Sequence, residues 1–218
     1  MPARLRLALM VLASCVLLGA LAVVVFAKPK NDDSTLTSSG FDGSLRPNIV
    51  PTNFTLKDQD GKTVSLADFK GKPLILTFMY STCKDTCPLQ ANQIRGALDQ
   101  LGDNAVPAVA LSVDPKNDTP ENAKRFVVQR QLSGRMQFLL GNDAQLAPIW
   151  KEYGIRPQGK AFDHTAYVVI LDSQGRQRVS FPVSKLTPEG LAHDVRVLQK
   201  AQAQSASAAA SARSAAAT

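Results

Sequence analysis

Taken as a string of apolar and polar positions, the chain opens with an uncharged apolar run from Leu7 to Phe26. At about 1.5 Å of rise per residue, a helix of that length crosses the roughly 30 Å hydrocarbon core of a bilayer. The pattern predicts a single transmembrane helix over residues 7–27. Polarity then rises. Residues 28–46 are rich in Asn, Asp, Ser, Thr and Gly, too polar to bury a face, and are expected as a flexible tether. From Pro47 short apolar segments alternate with turn residues, the pattern of one folded domain over residues 47–200.

Within that domain Phe54-Thr55-Leu56 and Thr63-Val64-Ser65-Leu66 flank Asp58-Gln59-Asp60-Gly61, which predicts a β-hairpin. A short helical turn is expected around Ala67-Asp68-Phe69. Leu74 to Tyr80 is nearly unbroken in its apolarity and predicts a strand buried on both faces. Leu89, Ile94, Ala97, Leu98 and Leu101 recur at helical spacing, with Pro88 in the first turn and Gly102 as the stop. Val106 to Val113 and Met136 to Leu140 read as further strands. Between them Thr119-Pro120-Glu121 caps a helix. Ala144 to Tyr153 reads as a helix ended by Gly154. Thr165 to Leu171 and Gln177 to Phe181 form a second hairpin, and Thr187 caps a last helix reaching about Lys200. Residues 201–218, mostly Ala, Ser and Gln, favour helix by composition but offer no apolar stripe to dock, and are expected as a disordered or transiently helical tail.

A chain of 218 residues with 44% hydrophobic content supports one ordinary core. The net charge of +7 is dispersed, without basic runs interleaved with aromatics, which excludes a nucleic-acid groove. Arg4 and Arg6 precede the apolar run, whereas Lys28 and Lys30 are offset by Asp32 and Asp33. The positive-inside tendency places residues 1–6 in the cytoplasm and the domain on the other side, as a single-pass bacterial inner-membrane protein facing the periplasm. Two other readings of the leader stay open: a signal cleaved after Val25-Phe26-Ala27, and a lipobox Leu12-Ala13-Ser14-Cys15 with Cys15 lipidated.

Charge says little about chemistry; cysteine usage says more. Of three cysteines, Cys15 lies in the apolar run, leaving Cys83 and Cys87 as one close pair. One pair is no disulfide framework. Spaced C-x-x-x-C between a strand and a helix, the two sulfurs meet the unpaired N–H groups of a helix start, which favour thiolate. Thiolates attack disulfides, and as soft donors they select Cu(I) or zinc. The other imidazoles are His164 and His193. A structural zinc site takes four protein ligands, so a copper site with three suits this inventory better. A structural disulfide over so short a loop would stabilise little.

The element order, with cysteines at a strand-to-helix corner, is that of an α/β thioredoxin-like domain with an extra N-terminal β-hairpin, here behind the transmembrane helix. Tyr80-Ser81-Thr82-Cys83-Lys84-Asp85-Thr86-Cys87-Pro88, Leu111-Ser112-Val113-Asp114-Pro115 with Asp118-Thr119-Pro120, and Asp163-His164-Thr165 resemble the landmark motifs of the Sco/SenC family. Members of that family are membrane-anchored copper proteins that help assemble the copper centre of cytochrome c oxidase. The resemblance implies a copper ion held by Cys83, Cys87 and His164. It also implies a metallochaperone role towards a copper-receiving oxidase subunit or another copper carrier. Lys84 departs from the proline often found there and favours thiolate chemistry, so the alternative is a thiol–disulfide oxidoreductase acting through Cys83 and Cys87 on a metal-site partner. A peroxidase is disfavoured, because the Pro/Thr-rich loop around a single attacking cysteine is not seen. Asp163 is a candidate partner for the imidazole, Asp114 a turn residue, His193 an exposed helical residue, and Met79 and Met136 core.

Overall fold

The structure, a computed structural model, describes residues 40–158 and 166–215. The expected anchor over 7–27 with Cys15, the short segment 1–6, residues 28–39 of the expected tether, and Asp163, His164 and Thr165 lie outside the described residues. Among the described residues no helix is long and apolar enough to cross a membrane.

The elements are β1 (Ser44–Leu45), β2 (Thr55–Lys57), β3 (Thr63–Ser65), β4 (Leu74–Met79), α1 (Thr86–Leu101), β5 (Ala108–Ser112), α2 (Pro120–Gln129), β6 (Met136–Leu139), α3 (Asp143–Tyr153), β7 (Tyr167–Leu171), β8 (Gln177–Pro182) and α4 (Pro188–Ala215). Six strands form one sheet in the order β1-β8-β7-β4-β5-β6, and β2-β3 is a separate antiparallel hairpin. β4 runs parallel to β5 and antiparallel to β7, so it sits mid-sheet. That position is why its six residues are all buried. Their alternation serves two faces. Leu74, Leu76 and Phe78 join the cluster that also holds Leu56 of the hairpin and Ile149 and Tyr153 of α3. Thr77, on the opposite parity, accepts from Gln90 of α1. The expected hairpin forms as read, its turn tied by Asp58 Oδ1, which accepts from the Asp60 and Lys62 N–H groups at 2.9 Å each.

Two boundaries differ from the sequence reading. The folded domain begins before Pro47, inside the stretch expected as tether. β1 pairs with β8, and Arg46 N–H donates to the Arg178 carbonyl at 2.8 Å. A Cβ at Gly43 would collide with Val179 and Phe181, so glycine permits that close approach. The cause is long-range: the N–H groups of Asp42 and Gly43 donate to the Asp194 carboxylate at 2.8 and 2.9 Å. The second difference is where the last helix ends, since α4 continues past Lys200 to Ala215. Past Gln202, which donates to the Gly71 carbonyl, alanine's helix propensity carries it without docking. Side chains from Gln204 to Ser214 are exposed, as an undocked extension requires.

Candidate metal and redox site

Tyr80 leaves β4 at the C-terminal edge of the sheet, and the Cys83 N–H turns back to its carbonyl at 3.3 Å. α1 starts at Thr86, so Cys83 precedes the helix and Cys87 lies in its first turn. That offset brings the two together: the Cys87 N–H donates to Cys83 Sγ at 3.3 Å. Neither is in a disulfide, and Cys87 is fully buried while Cys83 is 9% exposed. Lys84 and Asp85 between them are exposed.

The two sulfurs are electrostatically unequal. The Cys87 thiol donating to Cys83, with the backbone N–H groups of Cys87 and Asp85 and the Tyr80 hydroxyl, lowers the Cys83 pKa to about 5 against the opposing effect of burial. Donation to Cys83, then burial, pushes the Cys87 thiol up, and nearby Asp118 adds to the effect. Burial and the same hydrogen bond hold the Tyr80 hydroxyl protonated. The corner thus presents one ready thiolate beside one held proton. Two actions follow chemically. The thiolate can attack a disulfide, with Cys87 resolving. Alternatively, two soft sulfurs flanking one helix start can close on a soft cation, the second giving up its proton. The donor set fits copper.

Asp118 is the residue that sequence reading did not single out. It is 5% exposed, and its carboxylate accepts from Ser81 N–H and Oγ at 2.6 Å and from Ser112 Oγ at 2.5 Å. Burial raises its pKa against those hydrogen bonds. Its sequence signal was membership of the Asp118-Thr119-Pro120 motif, which assigned it no role and equally suits a residue ahead of a helix cap. Asp114, Met79, Met136 and His193 lie where the sequence places them. Asp114 is a turn residue whose carbonyl accepts from Asn117 and Asp118. Met79 and Met136 are core. His193 is a half-exposed residue of α4, with Nδ1 3.0 Å from Asp194 Oδ1 and 3.5 Å from Asp42 Oδ2. Among the described residues, Asp42, His193 and Asp194 are the one set of three metal-type donors within 4.8 Å of one another.

Residues 43–200 match the SCO1/SenC family profile. A SCO2-like protein of Rickettsia prowazekii is 25% identical over 139 residues, which is 59% of this chain and 67% of the relative. The chloroplastic peroxiredoxin Q of Triticum aestivum is 34% identical over 113 residues, 52% of this chain and 48% of the relative. The chain thus spans about half to two thirds of the length of these curated relatives. Among solved structures, Bradyrhizobium japonicum ScoI with copper bound is similar with a TM-score of 0.59 and 31% identity, covering 69% of this chain and 99% of that one.

Proposed function

The chain belongs to the SCO1/SenC family, and from that premise we propose that it is a copper-binding metallochaperone for assembly of the copper centre of cytochrome c oxidase. Cys83, Cys87 and His164 hold the copper. The observation that carries this reading is the corner itself, where the Cys87 N–H contacts Cys83 Sγ at 3.3 Å across one helix start and the surrounding hydrogen bonds favour the Cys83 thiolate. The copper bound by Bradyrhizobium japonicum ScoI supports it. For His164 the support is topological. β7 starts at Tyr167 and runs antiparallel to β4, with Val168 opposite Thr77, so the chain enters β7 at the edge where β4 delivers the cysteine loop. Copper is cargo, passed by ligand exchange to a copper-receiving oxidase subunit or another copper carrier. The helix over 7–27 tethers the domain to the bacterial inner membrane, facing the periplasm.

A second reading is a thiol–disulfide oxidoreductase, favoured by the unequal pair and by the similarity to peroxiredoxin Q. In it the Cys83 thiolate attacks a partner disulfide and the released partner thiolate takes up a proton. Cys87 then loses its proton and attacks Cys83 Sγ. The partner gains two thiols, and this chain ends with a Cys83–Cys87 disulfide.

Copper titration of the reduced full-length chain in detergent tests the first reading. One copper per chain is expected, with release of about one proton, from Cys87, at neutral pH, and His164→Ala should bind more weakly. A reduced chain that takes no copper sinks the chaperone reading. A His164→Ala variant as tight as the parent removes the third ligand. Reduction of a disulfide-bonded partner by the reduced chain, lost in Cys83→Ser, is the corresponding test of the second.

A further inference from the structure

We propose that Asp118 is the positioning residue of the cysteine corner, its carboxylate pinning the loop that presents Cys83. Oδ1 takes both the N–H and the hydroxyl of Ser81, and Oδ2 takes the hydroxyl of Ser112. Ser81 stands two residues before Cys83, and Ser112 is the last residue of β5. One carboxylate therefore joins the ends of two neighbouring parallel strands at the edge where the loop emerges.

The pin is itself fixed. The Asp118 N–H donates to the Asp114 carbonyl at 2.9 Å, and Thr119 caps α2. The Ser112 carbonyl accepts from Trp150 Nε1 at 3.0 Å, which ties this end to α3. Among the described residues, no lysine or arginine donates to Asp118. A buried carboxylate without a cation is costly, and three short hydrogen bonds offset part of that cost. A group of that cost, spent on Ser81, holds the near end of a loop only five residues from Ser81 to the helix start. Displacing Ser81 displaces Cys83 relative to the Cys87 N–H. A groove of about 520 Å³, lined in part by Leu56, Pro120 and Leu140, also reaches Asp118. Water can enter there when the side chain is shortened, so a variant need not seal a void.

The proposal rests on reading Cys83 and Cys87 as the reactive pair, and its test works without copper. The midpoint potential of the Cys83–Cys87 couple is measured for the full-length chain in glutathione buffers, beside thermal melts. Asp118→Ala should change the dithiol–disulfide equilibrium at least tenfold, a shift of about 30 mV for two electrons. Asp118→Asn keeps an oxygen towards Ser81, and the Ser112 hydroxyl can turn to accept from the amide, so it should restore the parent value within about threefold. Ser81→Ala keeps the backbone bond and should shift the equilibrium in the same direction by less. If Asp118→Ala does not fold, Ser81→Ala with Ser112→Ala carries the comparison. An Asp118→Ala potential within threefold of the parent overturns the proposal. So does an Asp118→Asn potential as displaced as that of alanine, which would assign the effect to charge. A parent that binds no copper sinks the chaperone reading and leaves this result standing.

Discussion

Among the described residues, two places gather side chains of metal-binding types, and they are arranged differently. At the Asp42–His193–Asp194 clasp, the buried Asp194 carboxylate already accepts from two backbone N–H groups and lies within 3.0 Å of the imidazole. Its lone pairs are committed to fastening the chain entering β1 onto α4. At the cysteine corner, the hydrogen bonds that reach Cys83 favour its thiolate, and the proton on Cys87 is held by a bond that a cation would replace. Proximity of donors is common to both. What separates them is whether the donor atoms have work elsewhere, and whether they are soft.

The largest expected contrast lies within the corner. With Cys83 near pKa 5 and Cys87 raised, iodoacetamide should modify Cys83 at least about 100-fold faster than Cys87 at pH 7. The sign is fixed by the thiolate: the Cys83 rate should stay flat above pH 6, be halved near pH 5, and fall about tenfold per unit below it. Equal rates at the two cysteines, or a half-maximum near the ordinary thiol value, would erase the asymmetry on which both functional readings draw.

The clasp should answer to stability instead. Asp194→Ala strands two backbone N–H groups and should cost about 2–4 kcal/mol in urea unfolding. His193→Ala removes only a half-exposed partner and should cost about 0–1 kcal/mol. Zinc added to a Cys83→Ser, Cys87→Ser chain should leave its melting temperature unchanged. A rise that disappears with His193→Ala would mean that the clasp also takes metal, and the contrast drawn above would fail.

The same distinction decides what was legible in the sequence. β4, the hairpin around Asp58–Gly61 and the capped start of α2 follow from neighbours a few residues apart, so apolar runs and turn chemistry reveal them. Cys83 and Cys87 were legible for that reason too, their spacing and the strand before them being local. β1 was not, because a two-residue strand has no pattern and is held by a carboxylate about 150 positions away. Asp118 was missed because its role is fixed by Ser81 and Ser112, at separations of 37 and 6 residues. Nothing in Asp118-Thr119-Pro120 tells a buried acceptor from a solvated one. His164 entered through the Asp163-His164-Thr165 motif and not through any pattern of burial.

The smallest expected effect concerns the helix that carries the clasp. In α4, Leu191, Ala192, Val195 and Leu198 are buried, and Asp194 fastens the chain before β1. Beyond Lys200 the links thin out: Gln202 Nε2 donates to the Gly71 carbonyl at 2.7 Å, and further on the Ser205 and Ser211 hydroxyls donate back to the Ala201 and Ser207 carbonyls of their own helix. Such back-bonding adds no tertiary contact, and an undocked helical segment draws on propensity alone. Truncation after Gln204 should therefore remove far-UV helical signal while changing unfolding free energy by less than about 0.5 kcal/mol. It should leave the Cys83 alkylation profile unmoved. A larger loss would mean that the distal turns dock on a surface, and that α4 fastens the domain along more of its length than the clasp half.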